Sequence, residues 1–316
     1  MKSVMRRLLV RHIILTSLIL LVSANLLLSC AQPNNNRSAK LQIVATVGMI
    51  TDAVKTIAGD KIQVSGLMGP GVDPHLYKAT KGDIDLLDNA DLILYNGLNL
   101  EAKMTDIFEK MNSVKPTVAV SESIDNALLR HPPEFQGHPD PHVWFDVSMW
   151  KSSVQSVGEA LVRNDTANTT LYETNLVSYL KALDSLHEWV KVEMTKIPIE
   201  RRVLVTAHDA FGYFGRAYDI EVYGLQGIST VTEAGLYDVT HMIDMLVERK
   251  IKAVFVETSV PRKAIDAVVE GCRSNGHDVQ IGGLLFSDAM GEDGTPEGTY
   301  IGMVRYNVNT IVNALR

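Results

Sequence analysis

The chain has 316 residues, 46% hydrophobic and 21% charged, with 30 basic and 37 acidic side chains and a formal net charge of −7. This length and apolar content suffice for a sizeable core, and the acidic balance argues against nucleic acid and towards cationic partners. The two cysteines, Cys30 and Cys272, offer no disulfide framework, so the fold has to rest on its core.

At the start of the chain, Lys2, Arg6, Arg7 and Arg11 stand without an acid before an apolar run over residues 13–28. That is the charged and apolar pair of regions of an export signal, and a run of about 16 residues is short of the ~20 that span a bilayer. The run ends in Leu27-Leu28-Ser29-Cys30, which resembles a bacterial lipobox. The expectation is a signal peptide over residues 1–29, cleavage before Cys30, lipidation of that cysteine, and a polar tether over 30–40. Without the signal and its four cationic side chains, 26 basic residues face 37 acidic ones, a net charge near −11.

From residue 41 onwards, short apolar runs alternate with amphipathic stretches, and they do so twice. Strands are expected at 41–47, 62–67, 91–95 and 117–120, with a helix at 81–89 among them. A second set falls at 202–206, 221–225, 253–256 and 279–282, separated by helices near 234–249 and 262–274. Between the two sets, residues 169–196 place Leu176, Tyr179, Leu180, Leu183, Leu186 and Val190 at helical spacing, uninterrupted by Gly or Pro until Pro198. About 28 residues at 1.5 Å each make a rod of roughly 40 Å. Alternation of this kind implies parallel sheets covered on both faces. The expected fold is therefore α/β with two lobes, each a mostly parallel sheet with flanking helices, joined by one long linker helix. The boundaries are 41–166, 167–197 and 198–316, and a continuous rod predicts restricted hinging.

The tripeptide Asp-Pro-His occurs twice, at Asp73-Pro74-His75 and at Asp140-Pro141-His142. Proline's fixed φ limits the entropy lost in holding a histidine rigid. His75 follows the second expected strand through a Gly-Pro-Gly turn, and His208 follows the strand at 202–206. Asp288 follows the strand at 279–282, and His142 precedes a helix beginning near Phe145. Ligands of open α/β sheets sit beyond the carboxyl ends of the strands, a placement that would let two polar candidates from each lobe converge on one interlobe crevice. Taken singly, each histidine is also explained as a hydrogen-bonded loop residue, and Asp288 as a helix cap for a segment starting near Ala289. Three imidazoles and one carboxylate would suit Zn²⁺ or Mn²⁺.

The segments GVDPHLYKATKGDIDLLDNADLILYNGLNLE, DPHVWFD, HDAFGYFGRAY, EVYGLQGISTVTEAG, FVETSVP and IGGLLFSDAMG closely resemble the TroA-like zinc- and manganese-binding lipoproteins of bacterial ABC transporters, the helical-backbone cluster A-I of metal receptors. The similarity covers residues 41–316. It implies two α/β lobes on one long helix, with Zn²⁺ or Mn²⁺ as transported cargo held by His75, His142, His208 and Asp288. It also implies an ABC membrane permease as partner and an extracytoplasmic, lipid-anchored monomer in the periplasm or at the cell surface, with no catalytic activity. Two departures matter. The histidine-rich loop of many zinc-dedicated members is reduced to residues 131–138 with His131 and His138, and the glutamate typical of manganese-dedicated members is replaced by His208. Both metals stay open, the three imidazoles leaning to zinc.

The remaining polar residues fall outside this set. His138 is expected to be exposed, and His187, His241 and His277 to lie on helices or a turn. Glu257 is a candidate acceptor for an imidazole N–H or for backbone. A zinc-dependent hydrolase is the alternative, with Glu257 or Glu233 as general base, but four protein ligands leave no position for an activated water. A surface adhesin-type lipoprotein fits lipidation without using the histidines.

Overall fold

The computed structural model describes residue 5 and residues 40–316 other than 136. The export signal over 1–29, Cys30 and the tether up to residue 39 lie outside the described residues. No helix among the described residues is long and apolar enough to cross a membrane.

The first lobe runs β1 (Leu41–Ala45), α1 (Gly48–Ala58), β2 (Ile62–Gly66), α2 (Lys81–Asn89), β3 (Leu92–Tyr95), α3 (Thr105–Asn112) and β4 (Thr117–Ala119). Its four strands form one parallel sheet in the order β2-β1-β3-β4, with Leu41 opposite Ile62 and Ile43 opposite Leu92. Helix α2 starts where it does because Thr80 and Asp83 form a reciprocal capping box that satisfies two otherwise orphaned amides. The chain then forms α4 (Val147–Asn164) and α5 (Thr169–Met194). The 26 residues of α5 make a rod of about 39 Å. It buries Tyr172, Leu176, Tyr179, Leu183, Leu186, Val190 and Met194, a stripe at steps of three and four.

The second lobe comprises β5 (Val203–His208), α6 (Gly212–Tyr218), β6 (Glu221–Gln226), α7 (Leu236–Arg249), β7 (Ala253–Glu257), α8 (Lys263–Ser274), β8 (Gln280–Leu285) and α9 (Tyr300–Leu315). Its strands pair as two parallel ribbons, β5-β6 and β7-β8, with β5 packed beside β7. β1 stops two residues before the expected 47, and two strands run at least two residues beyond their expected ends. β5 runs on to His208, because its ladder continues until His208 lies opposite Gln226. β8 begins one residue later than expected and extends to Leu285, its pairing carried past a register shift between Val254 and Phe255 of β7.

One apolar cluster fills the first lobe, α4 and α5 and continues into Leu204, Phe211, Tyr213, Phe255, Leu285 and α9. A second, containing Val205, Met242, Leu246, Val254, Ile265, Val268 and Cys272, seals the outer side of the second lobe under α7 and α8. Along β5, Leu204 joins the first cluster while Val203, Val205 and Ala207 join the second, the period of two that a strand imposes. Residues 41–316 form one compact unit. With each fully buried large apolar side chain contributing about 1.5–3 kcal/mol, the shared core ties the lobes together far more firmly than a bare connecting rod would.

Candidate metal centre

The residues singled out by the sequence meet. One side-chain atom from each of His75, His142, His208 and Asp288 lies within 4.8 Å of all the others, and none of the four residues is more than 2% exposed. Nε2 of His75 is 3.3 Å from Nε2 of His142. Asp288 reaches both lobes, with Oδ1 3.3 Å from Nε2 of His142 and Oδ2 3.3 Å from Nε2 of His208. The cluster stands at the carboxyl ends of the strands: His208 closes β5, Asp288 follows β8, and His75 sits in the loop after β2.

Each of these side-chain atoms is aimed by a local device. In both Asp-Pro-His tripeptides the aspartate accepts the histidine's own amide, from His75 to Asp73 Oδ1 at 2.8 Å and from His142 to Asp140 Oδ1 at 3.0 Å. This is an Asx turn, which locks the backbone that the proline has already narrowed. Asp140 Oδ1 also meets His142 Nδ1 at 2.8 Å, while its Oδ2 accepts from Arg130. Tyr213 O–H donates to the Asp140 carbonyl at 2.9 Å, and Asn96 donates to the Pro141 carbonyl at 3.1 Å. Glu257, at the end of β7, takes the His208 amide at 2.9 Å and its ring Nδ1 at 2.6 Å, so both carboxylate oxygens are committed to one histidine. Ser259 donates to Asp288 Oδ2 at 3.5 Å, and the Trp144 indole N–H fixes the Ser287 carbonyl at 3.1 Å.

Two glycines make room. A Cβ on Gly212 would stand 1.3 Å from Nη1 of Arg130, and one on Gly224 would stand 2.3 Å from the amide of Asp209. No larger residue lets the guanidinium reach Asp140 or the chain turn this close behind His208.

The electrostatics separate the three rings. Burial pushes His75 down to about 3, more than Asp288 raises it. Burial also opposes charge on His142, yet hydrogen bonds and charge from Asp140 and Asp288 outweigh it and hold the ring up at about 9. At His208 burial is again overcome, by Glu257 and Asp288, and the ring is held well above its ordinary value. Burial alone would raise Asp288, but the His208 and His142 rings hold it well below the usual carboxylate range. Two buried atoms facing this centre, Nε2 of His208 and Oδ1 of Asp288, have no aligned hydrogen-bond partner among the described residues.

Asp288 caps no helix, since the chain after it is irregular as far as the short 3-10 turn Pro296–Gly298. The helix expected near Phe145 resolves into a 3-10 turn, Val143–Phe145, followed by α4, whose N-cap is Asp146. His138 is exposed and faces a groove of about 650 Å³ with Gly97, Asn99 and Glu122, away from the cluster. His187 pairs with the Tyr218 hydroxyl at 3.0 Å, His277 with the Ile251 carbonyl at 2.6 Å, and His241 stacks on Tyr237. Arg130, Ser259, Thr230 and the carboxylate role of Asp140 escape a reading of the sequence. The Asp-x-His spacing could have revealed the last, whereas the others are brought in by the fold.

The protein-family model described as "Zinc-uptake complex component A periplasmic", ZnuA, matches residues 43–314. The chain is 51% identical over 275 residues to the zinc-binding protein TroA of Treponema pallidum, covering 86% of this chain and 88% of that protein. It is 47% identical over 294 residues to the manganese-binding lipoprotein MntA of Bacillus subtilis, covering 92% and 95%. The solved structure of the periplasmic zinc-binding protein TroA from T. pallidum superposes with a TM-score of 0.86 at 50% identity, over 88% of this chain and 99% of that one. With that match spanning nearly all the described residues, this chain belongs to the ZnuA family of periplasmic zinc-uptake components.

Proposed function

We propose that the protein is an extracytoplasmic receptor that binds Zn²⁺ or Mn²⁺ as cargo on His75, His142, His208 and Asp288 and delivers it to the membrane permease of an ABC transporter. The observation that carries this reading is the buried convergence of three imidazoles and one carboxylate within 4.8 Å. A tetrahedral zinc with bonds of about 2.0–2.1 Å has ligand-to-ligand edges near 3.3–3.4 Å. The closest separations, at 3.3 Å, already match that edge, and the wider ones leave space for the longer bonds of manganese. A cation would also give His208 Nε2 and Asp288 Oδ1 the aligned partner they lack among the described residues.

The relatives named for zinc and for manganese support both ions as cargo. The lipoprotein relatives support lipidation of Cys30; in this reading the receptor is an anchored monomer that works beside the permease. In this reading the signal covers 1–29, the tether 30–40, the lobes 41–166 and 198–316, and the linker 167–197.

A hydrolase is less well supported. Both oxygens of Glu257 are held by His208, which leaves no free base there, and Glu233 is exposed on an irregular loop. Metal analysis of protein purified without added metal, followed by calorimetric titration of the stripped protein with each ion, tests the reading. One ion per chain is expected, and a stripped chain that takes up neither would overturn it.

A further inference from the structure

The two Asp-Pro-His turns are built alike but anchored differently. At His142, Asp140 is held by the charged Arg130, ten residues away in the same connection, and its Oδ1 also fixes the imidazole Nδ1. His208 has Glu257 on its Nδ1. His75 has no such partner among the described residues, because Asp73 Oδ1 takes only the backbone amide. The other oxygen, Oδ2, accepts at 2.5 Å from the hydroxyl of Thr230. Thr230 is buried, 6% exposed, and belongs to residues 227–235, the irregular connection between β6 and α7 in the opposite lobe.

His75 thus lies in one irregular segment, 67–80, with Gly71 at a φ of +72°, and is tied through Asp73 to a second irregular segment across the cleft. Each segment is tied to a sheet only at its start, the first where the Leu67 and Met68 amides donate to the Ala45 and Thr46 carbonyls and the second where the Gly227 carbonyl accepts the Asp209 amide. A ligand has to leave the coordination shell before an ion can exit. The ligand whose mount is least constrained leaves at the lowest cost, and His142 and His208 are each held by a carboxylate on the ring.

We infer that the Asp73–Thr230 hydrogen bond is a latch between the lobes that holds His75 on the ion and sets how fast the ion leaves. Thr230 is a positioning residue: its hydroxyl stands beyond Asp73 and acts through it. The inference rests on the receptor reading above. Replacing the hydroxyl by a methyl of the same shape leaves a half-buried carboxylate oxygen without its donor, a loss that in charge-assisted hydrogen bonds corresponds to roughly tenfold.

The test is stopped-flow release of Zn²⁺ from the loaded full-length protein into an excess of a chromogenic chelator. Thr230→Val is expected to release about tenfold faster, with the association rate lowered little and the metal-free protein still unfolding in one cooperative transition. Thr230→Ser, which restores a hydroxyl, is expected to return release to within about threefold of the wild type. If the valine variant loses its fold, Thr230→Ala reads the same rate. Release within twofold of wild type in a folded variant lacking the hydroxyl overturns the latch. So does a serine variant as fast as valine, since a steric role would then explain both. A wild-type chain that binds no zinc would defeat the receptor reading instead, so the two failures are distinguishable.

Discussion

Glu257 grips His208 at both ends, taking the backbone amide on Oε1 at 2.9 Å and the ring Nδ1 on Oε2 at 2.6 Å. The two residues terminate the neighbouring strands β5 and β7, so the sheet itself sets the direction of the imidazole. With Nδ1 occupied, Nε2 is left to face Asp288. Replacing Glu257 by Gln turns one acceptor oxygen into a donor amide and releases the ring. Zinc affinity should fall by about 10- to 100-fold, the usual cost of losing an orienting partner, as read by calorimetry against a competing chelator. A change below about threefold would mean that the β5 backbone alone aims the ring.

His142 and His138 are four residues apart and should behave oppositely. His142→Ala removes one of four buried donors and should weaken zinc by well over the 10- to 100-fold of an outer-contact loss. His138 is exposed, with its ring against Phe135. His138→Ala should therefore change affinity by less than about threefold, under 1 kcal/mol. Parallel titrations decide it, and equal losses would reverse the assignment.

Protons compete with the ion at this centre. In the metal-free protein His142 is held at about 9 and His208 well above its ordinary value, while His75 is pushed down to about 3. At pH 7 the first two rings carry protons that the metal must displace and the third carries none. About two protons should be released per ion, measured by calorimetry in buffers of different ionisation enthalpy, and affinity should fall as pH is lowered from 8 to 6. His142, with its folded value above the unfolded one, stabilises the metal-free fold fully below about 6.5, and that contribution fades as pH rises through about 9. The melting-temperature gap between loaded and metal-free protein should therefore widen from pH 6 to 8.5. A gap that narrows, or binding without proton release, contradicts these ring states.

Metal loading should change the overall shape little. Asp52 of α1 accepts the Tyr300 amide at the start of α9 at 3.0 Å and the Tyr179 hydroxyl of α5 at 3.3 Å. The apolar cluster also runs unbroken from the first lobe through α5 into the second. A compact chain of this length has a radius of gyration of about 19 Å. Solution scattering of the two states should differ by less than about 1 Å, and a larger closure would mean that the shared core parts.

Much of this was legible because local signals were strong. The helix at 81–89 is bounded by a capping box that spans only Thr80 to Asp83, and α5 ends two residues before the expected 196. The doubled Asp-Pro-His located His75 and His142, and the family resemblance supplied the convergence with His208 and Asp288. What the sequence could not yield depends on pairing at a distance. The extension of β5 to His208 rests on Gln226 of another strand, and Glu257 is 49 residues from the histidine it holds. The Thr230 hydroxyl reaches Asp73 across 157 residues. Nothing local marks a threonine as the partner of a particular aspartate.

The central claim is that one ion sits between these four side chains. Anomalous diffraction from crystals of the zinc-loaded protein, collected on both sides of the zinc edge, tests it most directly. The account predicts a single strong peak about 2.0–2.2 Å from the facing nitrogens of His75, His142 and His208 and from an oxygen of Asp288. A peak at His138, at the groove it lines, or bonded to fewer than three of the four residues would contradict it.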